Sequence, residues 1–319
     1  MRPLASESGA DPFDLLAAYV RRRRLAAALL AAAAILGLLV GVESLLLHLR
    51  SDQLVDVQAY YQAGQRLNAG QPLYPPGADV DAPEFYRYPP LLAILFRPLA
   101  LLPFPVAAGI WETILIAALA GTLWQLGLRR RRTWVAIAVL AAPIAWTMSI
   151  GQAQALVTLL TSIATPWSIA LAANLKLFPA LIVVYWIGRR DRRRIVIFCA
   201  WMAGLGLLQL ALEPANTVAF IRVTTLQGVG NVVNVSPYAF SPLLWAALFI
   251  GGIVLAWQLS PTRWGWVAAV AVSVFANPRL LTYMLSTLLA GVRPEPTHLP
   301  TPAGPTEGAT APSTEAGRG

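Results

Sequence analysis

Long apolar stretches separated by short polar segments run along most of this chain. The first apolar stretch, residues 25–47, carries a single charge, Glu43, near its end. As a helix rising about 1.5 Å per residue, it is longer than the ~30 Å hydrocarbon core of a bilayer. It is also too long for the apolar region of a secretory signal, and no small-residue cleavage site follows it. The pattern therefore predicts an uncleaved first membrane span.

The remaining pattern predicts further crossings and two irregular regions. Residues 151–188 contain Pro166, Lys176 and Pro179, which predicts short, interrupted helices of the kind that line a protein cavity rather than lipid. The triplet Asn277-Pro278-Arg279 divides the last apolar segment, residues 264–292, and favours a tight hairpin over one kinked crossing. Continuous spans are expected at about 106–128, 133–148, 195–212 and 242–258. The predicted fold is all-α, a polytopic transmembrane helix bundle of about eight to ten spans.

Composition agrees with this class and suggests three parts. Of the 319 residues, 57% are hydrophobic and 12% are charged, against roughly a quarter charged in soluble domains. We expect a cytoplasmic segment at 1–24, a transmembrane domain at 25–292 and a C-terminal tail at 293–319. The tail is rich in Pro, Thr, Gly and Glu, and it is predicted to be disordered because it has too little apolar surface to bury.

The positive charge follows the membrane spans. The net charge is +9, and thirteen of the 24 basic residues lie in three runs at 21–24, 129–132 and 189–194. Each run borders an apolar span, as the positive-inside rule predicts for cytoplasmic ends, so a nucleic-acid partner is not expected. This orientation predicts a multi-pass protein of the cell membrane with a cytoplasmic N-terminus and an extracytoplasmic loop at 48–88. The single Cys199 and the absence of Cys/His spacings or a phosphate-binding glycine loop predict no metal site of Cys and His ligands and no cofactor, while the need for a divalent metal stays open.

The first outer loop is acidic and aromatic. Asp52, Asp56 and Tyr60 recur every four residues and would share one face of an amphipathic helix. Carboxylates beside aromatic rings suit a sugar, because the ring stacks on the sugar's C–H face and a carboxylate accepts a hydroxyl proton. A solvated helix anchored at the headgroups by tyrosines explains the residue types equally well. The loop contains Asp52, Asp56, Asp79, Asp81, Glu84, Tyr60, Tyr61, Tyr74, Tyr86 and Tyr88.

Lys176 is the only lysine of the chain and, after the first outer loop, the second feature that indicates a function. A charge in apolar sequence is costly and needs a partner, so a phosphate at the membrane boundary is one candidate. A snorkelling lysine, or a pair with Glu112 or Glu213, is the alternative. Other outer-face candidates are Arg222 and Arg279 for the same phosphate, and Gln152 and Asn231 for sugar or acceptor hydroxyls, although Gln152 also suits an ordinary helix–helix turn.

Taken in order, several motifs between about residues 50 and 195 resemble glycosyltransferase family 87, whose members have the multispan fold called GT-C. They are Asp56-x3-Tyr60-Tyr61-x2-Gly64, Gly70-x2-Leu73-Tyr74, Tyr86-x-Tyr88-Pro89-Pro90, Gly151-Gln152 and Lys176-x2-Pro179. The resemblance implies a GT-C-like bundle that uses a polyprenyl-phosphate sugar donor, with mannose favoured, and transfers the sugar with inversion to a glycolipid or glycan acceptor.

The same resemblance assigns the role of Asp56, and the residue types supply the candidates for the other roles. Asp56 matches the family's catalytic base, while Lys176, with Arg222 and Arg279, would bind the donor phosphate. Asp52, Tyr60, Tyr61, Tyr88, Gln152 and Asn231 are the candidates for binding the sugar or acceptor. Family members usually carry further C-terminal spans, so the resemblance implies an acceptor side that is either reduced or completed by a protein partner.

Two other function classes stay open at this level. A transporter or lipid flippase would explain the interrupted central helices as an alternating-access site. A non-catalytic membrane assembly protein would need none of the outer-loop carboxylates. The sequence leaves the sugar and the acceptor undetermined.

Overall fold

The structure is a computed structural model, and it describes residues 12–75, 79, 85–223 and 234–293. Within these residues the secondary structure is entirely helical, which confirms the predicted all-α fold. Four 3₁₀ segments, Leu99–Leu101, Phe178–Ile182, Pro237–Ala239 and Thr282–Val292, accompany the α-helices. In chain order the α-helices are α1 (Pro12–Arg22), α2 (Arg24–Ser51), α3 (Val55–Asn68), α4 (Pro90–Phe96), α5 (Phe104–Leu126), α6 (Arg131–Val139), α7 (Ala141–Ser149), α8 (Gln154–Ile163), α9 (Pro166–Leu175), α10 (Val183–Gly188), α11 (Arg192–Leu212), α12 (Pro214–Val223), α13 (Pro242–Leu259) and α14 (Gly265–Phe275).

Four helices, α2, α5, α11 and α13, are long and apolar enough to cross a membrane. They coincide with four of the predicted spans, and they make the chain a multi-pass membrane protein. Their outer surfaces consist of exposed large apolar side chains such as Leu39, Ile116, Val196 and Leu243, which suit contact with lipid. Any further crossings in the predicted eight to ten would use the shorter helices, so that number stays a prediction.

The third span differs from its prediction. A continuous helix was expected at 133–148, but α6 and α7 meet at Leu140 with a bend of 67°. Pro143 has no amide hydrogen and its ring excludes the carbonyl four residues earlier, which breaks a helix at this point. The helix α2 packs closely against the bend at its Gly37, where an added Cβ would lie only 2.3 Å from the Ala138 carbonyl oxygen.

The two irregular regions are as predicted. Residues 151–188 form α8, α9, the 3₁₀ segment Phe178–Ile182 and α10, with breaks near both prolines. The last apolar segment is a hairpin, because α14 and the segment Thr282–Val292 pack against each other. The Trp266 indole N–H donates to the Ala290 carbonyl at 2.8 Å across this hairpin.

One end of the bundle is closed by α3, α4 and α12. Their apolar faces share a core with α5, α8 and α9, in which Tyr60, Tyr86, Phe96 and Leu92 are fully buried. The headgroup-helix interpretation of the first loop is therefore wrong for these rings, which lie inside the protein. The predicted tail at 293–319, the N-terminal eleven residues and Asn231 lie outside the described residues, apart from Arg293 at the boundary.

Candidate active site

The site begins where α3 meets the turn between α7 and α8. The backbone amides of Leu54 and Asp56 donate to the carbonyls of Ser149 and Ile150, each at 3.1 Å. These two bonds hold the first turn of α3, and with it Asp56, against the turn. Gly151 forms the turn with φ +70°, a left-handed conformation that favours glycine.

A third hydrogen bond supports the turn, and it comes from α5. The Trp111 indole N–H donates to the Gly151 carbonyl at 2.8 Å. A Cβ on Gly151 would lie only 2.0 Å from Val57 Cγ2 and 2.9 Å from Glu112 Oε1. The glycine is therefore needed both for its backbone angle and for the close approach of α3 and α5.

The Asp56 carboxylate is held by an amide. Gln152 Nε2 donates to Asp56 Oδ2 at 3.1 Å and to the Tyr88 hydroxyl at 2.9 Å. The Tyr60 hydroxyl donates to Gln152 Oε1 at 2.5 Å. Tyr60 and Gln152 are both 0% exposed, whereas Asp56 and Tyr88 are half-buried and keep some access to solvent.

Lys176 follows α9 in extended backbone and points into the same region. Its ammonium donates to Gln154 Oε1 at 2.7 Å. It also lies 5.0 Å from the ring centroid of Tyr88 and 4.8 Å from that of Tyr283, within the range of cation–π attraction. Gln154 is held in turn by Thr287 Oγ1, 2.6 Å from its amide nitrogen. The pairing of Lys176 with Glu213 is not observed, since Glu213 pairs with Arg97 at 3.2 Å.

Asp56 and Lys176 interact electrostatically, although 119 residues separate them in the sequence. Burial raises the pKa of Asp56 to about 6 because desolvation disfavours the charged carboxylate. The charges of Lys176 and Arg87 partly oppose this shift, and the nearby Asp52 carboxylate adds to it. A carboxyl with a pKa close to neutral is suited to act as a general base.

Two residues that the sequence did not single out join this cluster. Arg87 lies close enough to Asp56, Tyr88 and Arg279 for their charges to influence one another. Tyr283 shares a hydrogen bond with Tyr88 and lies on Lys176. Arg87 is flanked by Tyr86 and Tyr88 in an otherwise aromatic motif, a signal that would have pointed to it. No comparable signal exists for Tyr283.

The other predicted site residues are placed differently. Asp52 ends α2, and Leu54 in the left-handed conformation separates it from α3, so the prediction that Asp52 and Asp56 share one helix face is wrong. Its carboxylate binds His48 Nδ1 at 2.8 Å and accepts from Ser51 Oγ at 2.6 Å. Tyr61 faces away from the cluster, donating to the Leu102 carbonyl at 2.7 Å and packing on Phe104. Arg222 is exposed at the end of α12, and none of the contacts among the described residues connects it to Asp56 or Lys176.

A small cavity opens beside Lys176. It is lined by Gln154, Lys176, Ser273, Asn277 and Thr287 together with apolar residues, and Asp56 is not among its lining residues. Within the part of the chain that the structure describes, no three His, Cys, Asp or Glu side chains come together in a way that could hold a metal ion. The cluster itself offers one carboxylate, the hydroxyls of Tyr60, Tyr88 and Tyr283, and the nearby cations Lys176 and Arg87.

Residues 85–292 match the sequence model of glycosyltransferase family 87. The chain belongs to this family. The match includes Tyr88, Gln152, Lys176 and Tyr283, and it extends well beyond residue 195, where the motif resemblance ended. Asp56 and α3 precede the matched residues, so the family match does not itself assign Asp56 a role.

The chain is also similar to curated mannosyltransferases. It is 34% identical over 155 residues to a polyprenol-phosphate-mannose-dependent alpha-(1-2)-phosphatidylinositol pentamannoside mannosyltransferase of Mycolicibacterium smegmatis, covering 43% of this chain and 38% of that protein. It is 30% identical over 179 residues to the protein of the same name from Mycobacterium tuberculosis, covering 48% and 41%. A phosphatidylinositol mannoside mannosyltransferase of M. smegmatis is 30% identical over 204 residues, covering 52% and 46%. The chain thus spans less than half the length of these relatives, and no solved structure matches it.

Proposed function

We propose that this protein transfers a sugar, mannose in the first instance, from a polyprenyl-phosphate donor to a hydroxyl of a glycolipid acceptor. The observation that carries the proposal is geometric: Gln152 Nε2 donates both to Asp56 and to the Tyr88 hydroxyl, and the Lys176 ammonium lies 5.0 Å from the centroid of the Tyr88 ring. Family membership supports a glycosyl transfer reaction. The relatives' names supply the donor class and the phosphatidylinositol mannoside acceptor class.

Asp56 acts as the general base in this proposal. The acceptor oxygen attacks the anomeric carbon of the donor sugar while its proton passes to the Asp56 carboxylate. The bond between the anomeric carbon and the phosphate oxygen breaks, and its electron pair stays on that oxygen. Attack from the face opposite the phosphate inverts the anomeric configuration.

Cations balance the charge that the leaving phosphate acquires. The phosphate gains one negative charge when the sugar–oxygen bond breaks, and a positive charge held close to it lowers the barrier. Lys176 is the first candidate for this role, because its ammonium is buried beside the cluster. Arg87, which is close enough to Asp56 and Tyr88 for their charges to interact, and Arg279, which lies close to Arg87, are further cationic candidates.

The aromatic residues divide into those that can meet a sugar and those that cannot. Tyr88 is half-buried, so part of its ring can stack on the C–H face of a sugar. Tyr60 is 0% exposed and Tyr61 is turned toward Leu102, so their roles are to hold α3 in place. This arrangement limits the predicted aromatic sugar contact to Tyr88.

In this proposal the reaction takes place on the extracytoplasmic face of the cell membrane, which the direction of two helices supports. The long helix α2 begins at the arginine run 21–24 and ends beside Asp52, and α5 leads from the site end toward the run 129–132. The site therefore lies at the end of these helices opposite the arginines. The positive-inside rule then assigns the arginine end to the cytoplasm.

The proposal is tested by transfer from a radiolabelled polyprenyl-phosphate mannose to a phosphatidylinositol mannoside, using the full chain purified in detergent. Asp56→Asn keeps the size of the side chain and removes the base, so turnover is expected to fall about 100-fold or more. Asp191→Asn is the matched control, because Asn still accepts the Arg194 amide bond that caps α11.

Three results would count against the proposal. Unchanged turnover in Asp56→Asn would remove Asp56 from the mechanism. Absence of transfer by the wild-type chain would reject the transfer reaction for this chain. Movement of labelled lipid between leaflets by a wild-type chain that does not transfer sugar would favour the flippase alternative.

A further inference from the structure

The hydrogen bonds around Gln152 leave it no free polar group. Its oxygen accepts from the Tyr60 hydroxyl, and its nitrogen donates to Asp56 and to Tyr88. The side chain is 0% exposed, so a substrate hydroxyl cannot reach it without displacing one of these partners. A sugar-binding role for Gln152, as the sequence suggested, therefore does not fit its surroundings.

The orientation of the Gln152 amide is determined by Tyr60. The Tyr60 hydroxyl oxygen accepts the Ala153 backbone N–H at 3.3 Å, so its own hydrogen is available for Gln152 Oε1 at 2.5 Å. This places the amide oxygen toward Tyr60 and the NH₂ group toward Asp56. An ionised carboxylate only accepts hydrogen bonds, so the reversed amide would set oxygen against oxygen.

Tyr60 is itself held firmly. Its ring packs edge-to-face on Phe96 and Trp111 with centroids 5.4 and 5.9 Å away, and both neighbours belong to the main core. The core thus fixes the position of the Tyr60 ring, and the Tyr60 hydroxyl fixes the orientation of the Gln152 amide. The amide in turn fixes the position of the Asp56 carboxylate. The same amide nitrogen also binds Tyr88, whose ring lies on the Lys176 ammonium.

From this chain of contacts we infer that Tyr60 and Gln152 are a positioning pair, which holds Asp56 in its ionised, base-competent form and aligns it with Tyr88. The inference rests on the proposed transfer reaction and deepens it by assigning the residues that prepare the base. Neither residue touches the substrate. Loss of either one should therefore change the protonation of Asp56 as well as the rate.

The main test is the pH dependence of transfer in Gln152→Met, which keeps the length of the side chain and removes its hydrogen bonds. Losing a donor to a charged acceptor should raise the pH of half-maximal turnover by about one unit. The rate deficit should be largest below about pH 6 and smaller above about pH 8, with the donor KM nearly unchanged. Gln258→Met, in α13 at the arginine end of the bundle, is the matched control and should leave the profile unchanged.

Tyr60→Phe provides an independent second variant. It keeps the ring in the core but frees the amide to rotate, so it should shift the pH profile in the same direction as Gln152→Met. Tyr185→Phe removes the hydroxyl of another buried tyrosine, in the second core near Trp266, and should leave the profile unchanged. If Gln152→Met is not recovered as folded protein, Tyr60→Phe decides the question alone.

An infrared titration separates this inference from the proposed function. The carboxyl band of Asp56 is identified as the band missing from Asp56→Asn, and its midpoint is followed with pH without any transfer reaction. A higher midpoint in Gln152→Met or Tyr60→Phe than in wild type supports the positioning role, even if the chain transfers no sugar. An unchanged midpoint overturns it, and a slower variant with an unchanged pH profile overturns it as well.

Discussion

Replacing Gly151 by alanine tests how the turn holds the site together. Gly151 has φ +70°, and a Cβ at this position would lie 2.0 Å from Val57 Cγ2. Nonbonded carbon atoms normally lie about 3.5–4.0 Å apart. Alanine therefore forces the turn and α3 apart by about 1.5 Å, at the point where Asp56 and Gln152 meet.

Two effects lower the stability of Gly151→Ala. The left-handed backbone angle costs alanine about 1–2 kcal/mol, and the overpacking against Val57 adds about 1–3 kcal/mol. Gly70→Ala is a matched control, since Gly70 has φ +67° but a Cβ on it would have no neighbouring heavy atom within 4 Å. The control therefore carries the backbone cost alone, and the difference between the two variants isolates the clash.

The assay compares thermal unfolding of the two variants in one detergent and their transfer rates. At about 2–4 °C for each kcal/mol, Gly151→Ala should unfold several degrees below Gly70→Ala. A displacement of about 1 Å at the reacting groups should also reduce transfer about 100-fold, whereas Gly70→Ala should keep wild-type transfer. Equal unfolding temperatures and equal rates for the two variants would refute the reasoning about this contact.

Three further predictions address the charges and the supporting contacts. Burial raises the pKa of Asp56 to about 6, so wild-type turnover should fall about tenfold for each pH unit below 6 and level off above it. A pH profile of turnover that stays flat down to about pH 4.5 would argue against Asp56 as the base. Lys176→Met should lower kcat about 100-fold or more in the transfer assay, because the leaving phosphate would lose its proposed buried cation. An undiminished kcat would assign the stabilisation of the phosphate to Arg87 or Arg279. Trp111→Phe should lower the free energy of unfolding in denaturant by about 1–3 kcal/mol, because the buried Gly151 carbonyl loses its indole donor at 2.8 Å. A change below about 0.5 kcal/mol would show that this hydrogen bond contributes little.

The long helices were predictable because a helix that crosses a bilayer must be apolar along the whole length that contacts the hydrocarbon core. The helices α2, α5, α11 and α13 follow from hydropathy alone. The bend at Leu140 was missed because the residues on both sides are equally apolar, so the hydropathy is the same for a straight and a broken span. Pro143 was the available signal for that break.

The site was predictable only in part, and the reason is geometric. Lys176 stood out because a charge is rare in apolar sequence, and Asp56 stood out because it lies in an acidic, aromatic loop; in the structure the two interact electrostatically. Tyr60 and Tyr61 look alike in the sequence, but one step along a helix turns a side chain by about 100°, so Tyr60 faces the site and Tyr61 faces Leu102. Tyr283 reaches the site only through the folding of the final hairpin, which one sequence does not specify.

Asp56 and Lys176 are proposed to serve one lipid-phosphate sugar at the same site. The most direct measurement is an experimental structure of the full chain with a non-transferable polyprenyl-phosphonate mannose analogue. We expect the phosphonate beside Lys176, with Arg87 and Arg279 as the other cations in reach, and the Asp56 carboxylate facing the anomeric carbon from the opposite side. An analogue bound away from Lys176, or with Asp56 too far from the sugar for one acceptor hydroxyl to bridge them, would contradict this arrangement.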